Sequence, residues 1–230
     1  MVRFLRPFDP HRIRLLVFDL DGTLIDSRLD LIHSINATLR HIERPELAGS
    51  LIASYVGNGA PVLVRRALGD QDANNEALFN EALDYFLGYY RQHKLDHTTV
   101  YEGIPEVLQA LTDAPKTDRR MAVLSNKPVN PSRDIIHALG LGAFFVRIYG
   151  GNSFPTKKPD PVGVLTLLQE TNVAAAEALM IGDSSIDVLT GRNAGLWTCG
   201  VTYGFAPHTL EEVPPDVLID SPRELGELLG

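Results

Sequence analysis

The sequence predicts an α/β fold: a mainly parallel sheet covered by helices on both faces, with a helical unit inserted after the first strand. Three observations predict it. Short, continuous apolar runs, Leu15–Phe18, Met121–Leu124 and Ala178–Ile181 among them, have the length and composition of strands buried on both faces. Segments of helical period alternate with these runs, as parallel strands joined by crossover helices require. Residues 28–95, by contrast, show helical patterns only, which sets them apart as an insertion.

Taken in order, the chain opens on a basic, proline-containing stretch from Met1 to Arg14 whose apolar stretches are too short for a signal-peptide core. After the strand Leu15–Phe18, Asp26 and Ser27 can cap a helix beginning near Arg28, with Leu31, Ile32, Ile35 and Leu39 along one face. Pro61–Leu68 and Asn75–Tyr90 are further helix candidates. Val100–Pro105 marks the return, with a turn at Gly103 and a helix from Pro105 through Leu111. Strands are expected at 121–124, 145–149, 178–181, 197–201 and 217–219. The intervening helices are expected at 131–139, 162–169, 187–193 and 222–229. The expected division is therefore 1–26 and 96–230 for the core and 27–95 for the insertion.

Composition limits the function classes. With 230 residues and 44% hydrophobic content the chain can fill a substantial core. Its formal charge of −8 argues against general nucleic-acid binding, because phosphate-backbone affinity needs clustered lysine and arginine. Cys199 is the single cysteine, so neither an intramolecular disulfide nor a cysteine zinc cluster can form, and Cys199 itself reads as a core filler. No apolar run approaches a bilayer span. The expectation is a soluble, unprocessed cytoplasmic protein with no membrane or nucleic-acid partner, monomeric or homodimeric.

Parallel sheets place their sites beyond the carboxyl ends of the strands. Asp19 and Asp21 follow the first strand, Ser125 and Asn126 the second, and Asp183 the fourth, while Lys158 comes from the loop after the third. These groups therefore converge on one crevice. Two carboxylates one residue apart, before a glycine that allows a tight turn, can hold a divalent cation while one oxygen remains to attack an electrophile. Asp19, Asp183 and the backbone carbonyl of Asp21 are hard oxygen ligands suited to Mg²⁺. Phosphoryl transfer fits the set best. Asp19 would attack phosphorus, and Asp21 would protonate the leaving oxygen and later deprotonate water. Ser125, Asn126 and Lys158 would hold the phosphoryl oxygens, with Thr23 beside them in the substrate-binding group.

Four ordered stretches carry a resemblance: Phe18-Asp19-Leu20-Asp21-Gly22-Thr23, Ser125-Asn126, Lys158-Pro159-Asp160-Pro161 and Gly182-Asp183-Ser184-Ser185-Ile186-Asp187. Together they resemble the four motifs of the haloacid dehalogenase superfamily. The resemblance implies a Rossmann-like core, a helical cap inserted just after the first motif, Mg²⁺ as cofactor and a small phosphorylated metabolite as partner. Val56–Ala60, Ser125–Pro128 and Gly150-Gly151 before Lys157–Pro161 most resemble the bacterial phosphoglycolate phosphatases. That likeness implies 2-phosphoglycolate as substrate and makes Gly57 and Asn58 part of a substrate-facing loop. Asn152 and Ile186 depart from the subfamily pattern and leave the catalytic positions intact. The same motifs admit a phosphatase for another small metabolite or sugar phosphate, a β-phosphoglucomutase-like mutase and a binding protein without catalysis. Asp21 argues against a dehalogenase, a branch that lacks this acid.

The remaining residues have plainer readings. Asp187 either orients metal-bound water or caps the following helix. Lys158, followed by proline, is the buried member of the Lys157–Lys158 pair. Arg65 and Arg66 read as the solvated face of a helix, though they can approach a substrate carboxylate. His93 and His97 have the i, i+4 spacing of a zinc pair without the expected glutamate, and read as surface residues.

Overall fold

The structure, a computed structural model, describes residues 1–7, 9–72, 74–113 and 118–230. The strands are β1 (Arg3–Phe4), β2 (Leu15–Phe18), β3 (Ile25–Asp26), β4 (Thr99–Val100), β5 (Arg120–Leu124), β6 (Arg147–Tyr149), β7 (Ala178–Gly182), β8 (Trp197–Val201) and β9 (Val217–Ile219). The first four helices are α1 (Arg28–His41), α2 (Gly49–Ser54), α3 (Ala60–Asp72) and α4 (Glu76–His93). After them come α5 (Ile104–Asp113), α6 (Val129–Ala138), α7 (Val162–Thr171), α8 (Ser185–Asn193), α9 (Thr209–Glu212) and α10 (Pro222–Leu229). The chain forms two compact units, one of Met1–Ile25 with Val100–Gly230 and one of Asp26–Thr99.

In the larger unit, the described residues build a seven-stranded sheet in the order β1-β9-β8-β7-β2-β5-β6. All neighbours are parallel except β1, which runs antiparallel to β9. The central strand β2 aligns Phe18 with Val123 on one side and with Ile181 on the other. That register brings Asp19, Ser125 and Asp183 out at the same end of the sheet.

The unbroken apolar runs have a direct cause. Leu16 and Phe18 point into a core with Val123, Leu179 and Ile181, closed by Leu108 of α5, Ile135 of α6 and Leu228 of α10. Leu15 and Val17 point the other way, into a core with Ala122, Leu124 and Met180, closed by Val164 and Leu167 of α7. Both pleat faces are covered, so neither can be polar. Cys199 lies in the first core, where burial pushes its thiol up to about 12.

The smaller unit is helical. Phe79, Ala82, Phe86 and Tyr90 form the buried stripe of α4, and Leu31, Ile35 and Leu39 that of α1. Helix α3 carries a break at Gly69, whose φ is +72°. Asp26, rather than Ser27, accepts from the backbone N–H of Arg28 at 3.1 Å at the start of α1. No helix among the described residues is long and apolar enough to cross a membrane.

Candidate active site

The chain leaves β2 at Asp19 with its N–H donating to Ile181 at 2.9 Å, so the carboxylate emerges one residue beyond the sheet's last aligned pair. Two residues on, Asp21 holds Lys127 Nζ at 2.6 Å, and the chain then turns sharply at Gly22, whose φ is +83°. A Cβ at Gly22 would lie 2.3 Å from Asp183 Oδ2, and one at Gly204 would lie 2.2 Å from Asp183 Cβ. Two glycines thus admit Asp183 to the site. Asp183 Oδ2 accepts from the backbone N–H groups of Phe205 at 2.5 Å and Ala206 at 3.2 Å.

Lys158 is buried, whereas Lys157 is exposed. Lys158 Nζ stands 2.6 Å from Asp187 Oδ1 and 2.8 Å from Asp19 Oδ1. Burial alone would lower the pKa of this ammonium, but the carboxylates of Asp187 and Asp19 outweigh it and raise it. Asp187 Oδ2 accepts from Ser184 N–H at 3.2 Å and Ser184 Oγ–H at 2.7 Å. Asp187 is thus the third residue of α8, inside the helix that begins at Ser185, and Ser184 takes the N-cap. One carboxylate closes the helix start and steers Lys158.

On the other side, Asn126 Nδ2 donates to the Lys158 carbonyl at 3.1 Å, and Ser125 Oγ accepts from Lys127 N–H at 3.2 Å. Lys127, which sequence reasoning quoted but gave no role, is buried with Nζ 2.6 Å from Asp21 Oδ1. Its signal was its place directly after Ser125-Asn126 at a strand end. The Phe205 and Ala206 amides were also missed, since backbone donors leave no mark in residue type. Thr23 is fully buried, its hydroxyl without a hydrogen-bond partner among the described residues. Gly57 and Asn58 belong to the other unit, in the turn between α2 and α3, where Gly57 adopts φ +117°. Arg65 lies over the Phe79 ring at 3.8 Å and pairs with Glu76 at 3.1 Å, and Arg66 donates to the Tyr55 carbonyl, all within the helical unit.

One carboxylate oxygen each from Asp19, Asp183 and Asp187 lie within 4.8 Å of one another, and all three side chains are buried. When ionised, three carboxylates against Lys158 leave two negative charges uncompensated in a dry place, which a dication would neutralise. Desolvation, reinforced by the mutual repulsion of the carboxylates, raises the pKa of both Asp19 and Asp183. Asp19 Oδ1 has Lys158 Nζ as its ion-pair partner at 2.8 Å and no other donor among the described residues. Oxygen donors alone, without imidazole or thiolate, suit a hard cation. The cluster has the character of a metal site.

A family model described as haloacid dehalogenase-like hydrolase matches residues 16–201. The chain belongs to the haloacid dehalogenase-like hydrolases. Its relatives in this family include a phosphoglycolate phosphatase of Pseudomonas syringae pv. tomato, 38% identical over 92% of this chain and 78% of the relative. A phosphoglycolate phosphatase of Vibrio vulnificus is 37% identical over 93% of this chain and 94% of its own. Among solved structures, that of a predicted phosphoglycolate phosphatase from Haemophilus somnus 129pt superposes with a TM-score of 0.88. It is 29% identical and covers 95% of this chain and 99% of its own. As in the sequence-based expectation, this haloacid dehalogenase-like hydrolase joins a Rossmann-like sheet to a helical insertion.

Proposed function

We propose that the chain is a Mg²⁺-dependent phosphomonoesterase for a small anionic metabolite, with 2-phosphoglycolate, the substrate that its relatives' names imply, as the leading substrate. One observation carries the chemistry: Asp19 stands at the end of the central strand with Lys158 Nζ 2.8 Å away and a second ion pair, Asp21 with Lys127, beside it. In this reading Asp19 attacks phosphorus as the ester P–O bond breaks, and Asp21 gives its proton to the leaving alkoxide. Water then attacks the aspartyl-phosphate and passes its proton to Asp21, which releases phosphate and restores Asp19. Lys158, steered by Asp187, and the polar groups of Ser125, Asn126 and Thr23 hold the phosphoryl oxygens.

Asp19, Asp183 and the main-chain carbonyl of Asp21 are the proposed Mg²⁺ ligands; Asp187 has both oxygens engaged and orients from outside. When bound, the cation screens the repulsion between the attacking carboxylate and the phosphate. In the same reading residues 1–26 and 96–230 carry the chemistry and 27–95 choose the substrate, with Gly57 and Asn58 as recognition residues. Asn58→Ala is then expected to raise KM more than it lowers kcat.

Phosphate release across a panel of phosphomonoesters, with and without Mg²⁺, tests the reading. Metal-dependent release with the highest kcat/KM for 2-phosphoglycolate supports it. A preference for another ester rejects the substrate and keeps the mechanism, and isomerised product without net phosphate release replaces the hydrolase with a mutase.

A further inference from the structure

The helical unit holds a second group of metal-ligating side chains. Asp30 and His33 stand three residues apart on α1 and so share a face. His97 arrives from the segment that follows α4. One ligand atom from each lies within 4.8 Å of the others. The two imidazoles are exposed, with ring centroids 5.1 Å apart and planes at 79°, while Asp30 is 1% exposed.

Asp30 is held by groups other than the rings. Its Oδ1 accepts from His97 N–H at 2.9 Å, and its Oδ2 accepts from Thr98 N–H at 2.9 Å, Thr98 Oγ–H at 2.6 Å and His97 N–H at 3.2 Å. All four bonds are donated to the carboxylate, and Oδ1, with one donor, keeps capacity for a further partner. His93 is drawn elsewhere: Nδ1 lies 2.7 Å from Asp96, and the ring stacks on Tyr89 at 4.1 Å. The i, i+4 spacing of His93 and His97 is therefore not the pair the fold makes. His97 meets His33.

We propose that Asp30, His33 and His97 form a site for a transition-metal dication of the zinc class, separate in place and chemistry from the all-oxygen cluster of the larger unit. Two imidazole nitrogens and one carboxylate oxygen are a zinc-type donor set, with a fourth position for water, whereas Mg²⁺ favours oxygen alone. Tetrahedral ligands about 2.0–2.1 Å from zinc lie about 3.4 Å from one another, so closing the site takes roughly 1 Å of movement. Exposed imidazoles have the rotameric freedom to make it. Asp30 lies near the start, and His97 near the end, of the unit Asp26–Thr99. The bound ion would cross-link the two ends of the helical unit.

The test uses the full chain, stripped by chelator, dialysed and held in millimolar Mg²⁺ so that the acidic cluster is occupied. Zn²⁺ is then titrated by calorimetry while imidazole ¹H–¹⁵N spectra are recorded. The expected result is one equivalent of Zn²⁺ bound in the presence of Mg²⁺, with the His33 and His97 signals displaced and those of His11, His137 and His208 unmoved. His33→Gln and His97→Gln should each weaken binding at least about tenfold, since losing a direct ligand costs no less than losing an outer partner. They should also remove the rise in Tm that Zn²⁺ gives the parent chain. Both variants preserve the backbone bonds to Asp30, so the fold is kept. Asp30→Ala would strip Thr98 of its acceptor and confound folding with binding. Zn²⁺ uptake abolished by Mg²⁺, unchanged in both glutamine variants, or reported by other histidines would overturn the proposal.

Discussion

Gly22 adopts φ +83°, and the Cβ it lacks would collide with the Asp183 carboxylate. Gly22→Ala therefore combines about 1–2 kcal/mol of left-handed backbone strain with displacement of a proposed metal ligand. Denaturant unfolding should show at least that loss of stability, and calorimetry should show weakened Mg²⁺ binding. Asp19→Asn separates chemistry from folding. It is nearly isosteric and removes the proposed nucleophile, so turnover is expected below about a thousandth of the parent's with an unchanged circular-dichroism spectrum. Appreciable residual activity would sink the nucleophile assignment. At this scale the sequence shows which polar residues leave the sheet at its carboxyl end, because Asp19, Ser125 and Asp183 all follow strands whose apolar runs reveal where the sheet ends. The partner of Asp21 was hidden. Nothing in the spacing says that Lys127 rather than Lys158 reaches it, because that depends on how two loops fold over the strand ends.

Helix α8 shows what one element contributes to both stability and site. Ser184 donates to Asp187 from its backbone and hydroxyl, so Ser184→Ala removes one capping bond and is expected to cost about 1 kcal/mol, a fall of roughly 2–4 °C in Tm. Asp187→Ala removes the same cap and also half of the buried pair with Lys158, whose side chains are each 2% exposed. Breaking such a pair costs about 3–5 kcal/mol, so the loss should be several times larger and should come with a fall in kcat. Comparable losses in the two variants would mean that Asp187 acts only as a cap. Strands β2, β8 and β9 run over the residues that the apolar runs mark, since burial on both faces leaves an unbroken signal. Strand β1, with two residues, and helices α2 and α9, with six and four, were not foreseen. None is long enough to display a period, and β1 exists only through its pairing with β9, over two hundred residues away in sequence.

Across the whole molecule, stability, pH and metal binding should be linked. Asp26 shows the ordinary carboxylate behaviour: partial burial raises its pKa, but the hydrogen bonds and charge of Arg28 outweigh that and lower it. Its contribution is present above the unfolded value of about 3.9 and is lost as pH falls through the folded value. Asp19 and Asp183 have the opposite sign. Their folded pKa values are raised, so the folded state holds protons that the unfolded chain has released. Their contribution is complete below about pH 3.9 and is lost as pH rises through the folded values. As pH rises through those folded values the metal-free fold therefore acquires a repulsive acidic centre. A dication binding the ionised carboxylates should relieve it, and at 100 times its Kd would add about 2.7 kcal/mol, roughly 5–10 °C in Tm for a chain of this size. At pH 5, where protons compete for the same oxygens, the gain should be smaller. Thermal melts at pH 5 and pH 8, with and without Mg²⁺, measure the difference. A larger shift at pH 8 places the cation on Asp19 and Asp183, whereas equal shifts at the two pH values would place it on groups that do not titrate in that range.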